Sequence, residues 1–289
     1  MELNLSHIME ENLIIDKEKC IKCKTCERIC PAFVYSFDKE GYPYEKYPHV
    51  CSICGHCISA CPTSAIKYKD IGFKDAELLD PNIPTFNELS NLMSKRRSIR
   101  RFKDEDVPDD ILQQIFTNLK YSLTGHNAQE LEYTVLRDRE HIFSISEKIG
   151  RRFKIAELFL PFLPNKTKGN IRRMIKLWEK SKTDHAEDPF LRYPRILFII
   201  HAKKSLENFL RIADAGIASY NVILTAESLG LGTCWLGFHS IVSNLFPKIK
   251  KLSKIPRNHK VLASIAIGYP KYQYRRKCAR NPLKINFID

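Results

Sequence analysis

CIKCKTCERICP over residues 20–31 and CSICGHCISACP over residues 51–62 are two copies of one pattern. Cys20, Cys23, Cys26 and Cys30 precede Pro31, and Cys51, Cys54, Cys57 and Cys61 precede Pro62, so each run reads C-x2-C-x2-C-x3-C-P. Such short spacings bring several thiolates to one metal centre. Zinc sites use four ligands as two spaced pairs, and disulfide frameworks belong to short secreted chains. Neither calls for a close triple repeated together with its proline.

The runs resemble those of bacterial ferredoxins, in which three close cysteines hold one iron–sulfur cluster and the fourth ligates the other. The resemblance implies two [4Fe–4S] clusters with crossed ligation. Cys20, Cys23, Cys26 and Cys61 would hold one cluster, and Cys51, Cys54, Cys57 and Cys30 the other. Clusters of this kind move single electrons. Val34, Ile53, Ile58, Ala60, Ala65 and Ile66 supply small apolar residues that would wrap the clusters and limit water, or would equally form an ordinary small core.

The chain has 289 residues, with eight of its ten cysteines at or before position 61, so two domains are the natural division. Only Cys234 and Cys278 lie outside the runs, which argues for a reducing compartment. MELNLSHIMEENLIIDKEK carries charges where a signal peptide needs an apolar stretch, RILFIIHA is too short to span a bilayer, and LFLPFLP is broken by prolines. A cytoplasmic protein with no membrane span is expected. The formal net charge is +14, and about two negative charges per cluster would leave the loaded chain near +10. Lys and Arg are spread through the chain without aromatic interleaving, which argues against nucleic-acid binding. The basic surface suits an acidic ferredoxin-like electron donor, or simple solubility.

TSAIKYKD after Cys61 reads as a closing strand, and IGFKDAELLDPNIPTF, with Pro81 and Pro84, reads as a linker. We place a two-cluster domain at residues 1–78 and a second domain at 79–289. FNELSNLMSKRR places Phe86, Leu89, Leu92 and Met93 on one helical face, and a second helix is expected at about Asp109 to Asn118 with Ile111, Leu112, Ile115 and Phe116 inward. LEYTVLRD, RILFIIHAK and KVLASIAIGYP read as strands, the second buried on both faces. Between the last two lies a long helix, about Glu207 to Leu229. Its Ala213, Ala215, Gly216, Ala218 and Ser219 imply close approach by another backbone or a flat ligand, or tight packing alone. The fold class is α+β, with a basic helical excursion at about 150–193.

Lys95, Arg96, Arg97, Ser98, Arg100 and Arg101 gather cations and one hydroxyl at the end of a helix, a set suited to phosphate. A solvated basic face is the plainer reading of that run alone. RRSIRRF, KDEDVPDDILQQIF, TGHNAQELEYTVL, DAGIASYNVILTAESLGLGTCWLG and IAIGYPKYQYRRKCARNPLK, taken in this order, resemble the nitroreductase-like flavoprotein family over about residues 86–289. The second domain is then expected to be a nitroreductase-like α/β sandwich.

The resemblance implies FMN bound in an intertwined homodimer. Arg96, Arg97, Ser98 and Arg100 would hold the phosphate and ring edge, with Arg280 completing the phosphate site. Asn127, in an Asn-x-Gln segment with Gln129, would hydrogen-bond the ring or ribityl chain. Gly230, Leu231, Gly232 and Thr233 would bring backbone amides near the reactive ring nitrogen. A nicotinamide fold is not indicated, because Gly230-x-Gly232 follows a helix and lacks the third glycine. Cys234 reads as a redox thiol or, more simply, a small buried hydrophobe. His126, His201 and His239 flank these segments, and no catalytic role is assigned to them.

The resulting expectation is an iron–sulfur flavoprotein oxidoreductase of the FMN-dependent nitroreductase type. Electrons would pass from a ferredoxin-like donor through the clusters to FMN and on to a nitroaromatic, a quinone or an activated alkene. One rival is a non-catalytic carrier serving a protein partner. Another is an NAD(P)H-dependent nitroreductase whose clusters are an outlet. The excursion at 150–193 would close as a lid, with Phe159, Phe162, Trp178, Phe190 and Tyr193 lining the pocket or packing the lid onto the dimer.

Overall fold

The computed structural model describes residues 11–69, 77–158, 165–205 and 208–288. Two compact units divide at Ile83/Pro84, with residues 126–128 grouped with the first. That division falls within the proline-bearing linker segment, directly before Pro84.

In the first unit β1 (Leu13–Ile15) pairs antiparallel with β4 (Ile66–Tyr68), and β2 (Tyr35–Phe37) with β3 (Pro43–Glu45). Two single-turn helices, α1 (Thr25–Ile29) and α2 (His56–Ser59), lie within the two cysteine runs. The duplication extends to the backbone. Left-handed residues occur in pairs, Lys22 with Ile53, Lys24 with Gly55, and Phe33 with Ser64, at the separation that relates Cys20 to Cys51. A run of such turns points successive amides inward to make an anion-binding concavity. The small core holds Leu13, Cys26, Val34, Tyr35 and Ile66, with Cys30, Cys51, Cys57 and Cys61 packed against it.

The second unit is built on a four-stranded sheet of order β5-β6-β8-β7, antiparallel throughout. Its strands are β5 (Glu132–Leu136), β6 (Ile196–Lys203), β7 (Gly232–Trp235) and β8 (His259–Gly268). Helix α4 (Asp109–Leu119) and α7 (Asn208–Ser228) cover one face, while α5 (Arg139–Glu157), α6 (Asn165–Ser181), α8 (Gly237–Leu245) and α9 (Pro247–Leu252) lie towards the other. The unbroken apolar run of β6 follows from this double cover. Ile196, Phe198, Ile200 and Ala202 enter one core, and Leu197 and Ile199 enter the second.

Strand β7 carries no signal of its own in the sequence, because GTCW is too short to show a period and follows directly on the glycine turn. Helix α3 (Phe86–Lys95) starts at a capping box of Thr85 and Glu88. Its apolar residues Phe86, Leu89 and Met93 are exposed in the single chain.

The expected excursion does not begin at residue 150, which lies inside continuous α5. Trp178 and Phe190 are 2% exposed and belong to the second core, and Trp178 donates to Glu147 at 3.1 Å. They pack the second core and line neither the cysteine cavities nor the basic cleft described below. Tyr193 is half-buried and donates to Glu140 at 2.7 Å. Phe159 and Phe162 lie outside the described residues.

Candidate functional site

The first unit contains two cavities, each bounded by four cysteines. Cys20, Cys23, Cys26 and Cys61 line one, closed by Ile21, Phe37, Pro43, Ala65 and Ile66. Cys30, Cys51, Cys54 and Cys57 line the other, closed by Leu13, Val34, Tyr35, Ile53 and Tyr68. The third residue of each triple comes from a single-turn helix, whereas the fourth cysteine arrives from the other run across the core. Of the apolar residues expected around clusters, Ala65 and Ile66 line the first cavity and Val34 and Ile53 the second.

Burial pushes the Cys26 thiol up to about 11, and it also raises Cys51 and Cys57, with neighbouring thiolates adding to each shift. Ionising so many buried thiols together requires a compensating positive charge, which metal ions provide. Donors aimed at sulfur are already in place around the first cavity. Ala65 N donates to Cys61 Sγ at 3.2 Å, Thr25 Oγ1 lies 3.3 Å from Cys23 Sγ, and Thr63 Oγ1 lies 3.8 Å from Cys61 Sγ. In the second cavity the Tyr35 hydroxyl is buried beside Cys57 with no protein hydrogen bond of normal geometry. A sulfur-rich anionic group at that position would accept a hydrogen bond from it.

The second unit contains a cleft of about 650 Å³ at the edge of the sheet. Residues 97–103 reach that edge by backbone bonds, with Ile99 N donating to Thr233 O at 2.7 Å and Lys103 N to Tyr269 O at 2.8 Å. Ser98 bridges Thr233 in parallel, and Phe102 bridges Pro270 in antiparallel. Ile99 and Phe102 are buried, which leaves the intervening cations outside the core. Lys95, Arg97, Lys103 and Lys271 line the cleft against one carboxylate, Glu227, together with Gly230, Leu231, Tyr269, Tyr272 and Tyr274. Arg97 lies 5.2 Å over the Tyr274 ring. Arg96 caps α3, and its Nε is buried without a hydrogen-bond partner. Four cations against one carboxylate fit a phosphorylated ligand.

Among the expected flavin residues the structure therefore joins Arg97, Gly230 and Leu231 at one cleft, with Ser98 and Thr233 paired at its edge. Arg100 is exposed and turns back to Ser98 O at 3.4 Å. Arg280 is exposed in the tail and does not line the cleft. Gln129 N donates to Thr124 Oγ1 at 3.1 Å. Within the first unit, the Asn127 amide donates to the carbonyls of Ser52 and Ile53 at 3.2 and 3.0 Å.

Gly230 N and Leu231 N are already bonded to the carbonyls of Glu227 and Ala226, where they close the C-terminus of α7. Lys103, Lys271 and the three tyrosines were missed as walls, since they come from segments more than 160 residues apart. Arg192, by contrast, does not line the cleft. It is held in a left-handed conformation, and burial, with Arg100 and Arg101 nearby, lowers the proton affinity of its guanidinium.

Cys234 is buried, and burial raises its thiol, in keeping with the small-hydrophobe reading. His239 is fully buried between the hydroxyls of Ser264, Ser253 and Ser243, at 2.8, 3.0 and 3.1 Å, and serves the core. No helix among the described residues is long and apolar enough to cross a membrane.

Residues 93–269 match the model of the Nitroreductase family, and residues 12–71 match that of the 4Fe-4S dicluster domain. The chain belongs to the nitroreductase family and carries a 4Fe-4S dicluster domain ahead of the flavoprotein fold. It is 28% identical over 187 residues to the FMN reductase [NAD(P)H] of Bacillus subtilis, covering 64% of this chain and 66% of that one. The first unit is 36% identical over 63 residues to an uncharacterized ferredoxin of Methanocaldococcus jannaschii, covering 21% of this chain and 82% of that one. The second unit shares its fold with a nitroreductase from Bacteroides fragilis solved with bound FMN. That match has a TM-score of 0.56 at 21% identity, covering 70% of this chain and all of the other.

Proposed function

We propose that this chain is an FMN-dependent iron–sulfur oxidoreductase that takes electrons from a ferredoxin-like donor and reduces an organic acceptor such as a nitroaromatic, a quinone or an activated alkene. The observation that carries the reading is the partition of eight cysteines into two cavities of four within a chain whose second unit has the nitroreductase fold. When bound, the clusters supply single-electron transfer and FMN converts single electrons into a pair.

Cys20, Cys23, Cys26 and Cys61 hold one cluster, and Cys30, Cys51, Cys54 and Cys57 the other. The Ala65 amide and the Thr25 and Thr63 hydroxyls direct hydrogen bonds to the first set of sulfurs, which stabilises added negative charge there. Arg96, Arg97 and Lys95, with Lys103 and Lys271, hold the flavin phosphate. Ser98 and Thr233 fix the sheet edge on which these cations sit. The net charge of +14 favours an acidic protein donor over long range.

A homodimer is part of this reading. Phe209, Ile212, Ile217 and Tyr220 form an exposed stripe on α7, and Leu283, Ile285, Phe287 and Ile288 in the tail are 61–95% exposed. Contiguous apolar surface of this kind marks an interface. A second copy would cover it and would bring the tail carrying Arg280 onto the neighbouring chain.

Anaerobic purification with iron, sulfide and flavin analysis tests the proposal, followed by separate reduction with a low-potential ferredoxin and with NADH or NADPH. About eight irons and about one FMN per chain are expected, with flavin absorbance bleached from the ferredoxin side. Flavin bleached by nicotinamide while the clusters stay oxidised would reverse the direction of flow and favour the reading in which the clusters are an outlet.

A further inference from the structure

Glu132 begins β5, His201 lies on β6 and His259 begins β8, so three neighbouring strands each contribute one potential metal ligand. Glu132 stands directly opposite His201 in the β5–β6 ladder. The β6–β8 ladder is irregular at that point, pairing Ile200 with Ala263 but His201 with Val261. One residue of β8 is passed over, and an irregularity of this type re-aims the side chains beyond it. The His201 and His259 rings then meet, with Nδ1 to Nδ1 at 2.9 Å. His259 Nε2 lies 3.6 Å from the Glu132 carboxylate. One ligand atom from each of the three residues can be chosen so that all lie within 4.8 Å of one another.

We infer that Glu132, His201 and His259 form a site for a borderline divalent transition-metal ion such as Zn²⁺, with water completing the coordination. Two imidazoles and one carboxylate are a donor set that such ions take, and they suit magnesium or calcium poorly. Nitrogen and oxygen ligands at about 2.0–2.1 Å from a tetrahedral ion stand about 3.3–3.4 Å apart. One ligand atom from each residue lies within 4.8 Å of the other two, so side-chain rotation on a fixed sheet would draw the three together around the ion.

Thr134 Oγ1 lies 2.9 Å from His201 Nε2, an outer hydrogen bond that orients the ring and leaves Nδ1 facing the ligand group. His201 and His259 are buried at 2% and 6% exposure, whereas Glu132 is exposed, so the ion enters from the carboxylate side. Lys250 Nζ donates to the His259 carbonyl at 2.6 Å, and Lys203 is the register partner of His259. Their charges oppose a cation, and the site binds more weakly than a closed four-ligand structural centre. None of the three residues lines the cysteine cavities or the basic cleft.

The site is tested on the full chain with its clusters and flavin in place, in chelator-free buffer, by calorimetric titration with Zn²⁺ and elemental analysis after gel filtration. Wild-type protein is expected to retain about one zinc per chain, and Glu132→Gln and His259→Gln each to weaken binding by roughly tenfold or more, with the iron content unchanged. Glu132→Gln keeps the test decisive if a histidine variant misfolds, since its side chain is exposed. Zinc uptake equal in wild type and Glu132→Gln would place the ion elsewhere, on Cys278 or the cluster cysteines, and would overturn the inference. Absence of uptake by wild-type protein would overturn it as well. Thr134, His201 and His259 would then be a hydrogen-bonded chain serving the sheet alone.

Discussion

Gly232 and Ile99 touch where a side chain on the glycine would stand: a Cβ built on Gly232 falls 2.4 Å from Ile99 Cγ1. The absent side chain lets the basic segment lie against β7, with Ile99 N bonded to Thr233 O. Gly232→Ala should push Ile99 outward and shift Arg97 and Ser98 with it. The expected outcome is FMN affinity lowered roughly tenfold or more, with a stability loss of about 1–3 kcal/mol from overpacking. Flavin fluorescence titration and urea melts would measure the two effects separately.

Trp178 lies across Gly150 in the same way, its indole within 2.1 Å of where a Cβ would be. Because the ring is buried in the second core, Trp178→Ala should destabilise the protein by roughly 3–5 kcal/mol. The relative rates with different acceptors should stay unchanged. A changed acceptor range at unchanged stability would restore Trp178 to a pocket role.

Hydrogen bonds to cluster sulfurs stabilise the more negative, reduced state. Removing donors at Cys23 and Cys61 with the double variant Thr25→Val/Thr63→Val should therefore lower the potential of one cluster and leave the other in place. A redox titration followed by electron paramagnetic resonance would resolve the pair. Two clusters displaced equally would contradict the assignment of both threonines to the first cavity.

Burial holds the His239 imidazole down at about 4, against an ordinary value of 6.5. The folded state thus keeps His239 neutral, while the unfolded state takes up a proton once the pH falls below the ordinary value. Its contribution is fully present above that value and is lost as the pH falls towards 4, by roughly 3 kcal/mol in all. His239→Gln should lower stability at neutral pH and flatten this acid limb. Urea midpoints of the two proteins across the interval would show it, and parallel acid limbs would place the proton elsewhere.

Much of the protein is legible in the chain because its information is local. Cysteine spacing carries its own chemistry, since ligands three residues apart must converge on one small group. The helices α4 and α7 and the strands β5, β6 and β8 show in periodicity and branched-residue content, because each element must bury a face. The strand β7 was hidden, being four residues long and following a turn that resembled a ligand loop.

The sequence by itself determined two cysteine sets, two domains, a nitroreductase-like second domain and a cationic segment after the first helix of that domain. Tertiary structure alone decided what those parts face. It spent the Gly230 and Leu231 amides on closing a helix, sent Trp178 and Phe190 into the core, and brought Lys103, Lys271 and Tyr274 to the wall of the basic cleft. It also set Glu132, His201 and His259 side by side through one irregular step in a strand register. Contacts between residues far apart in the chain leave no spacing to read, because the packing of the sheet and its helices fixes them only when the whole domain has formed.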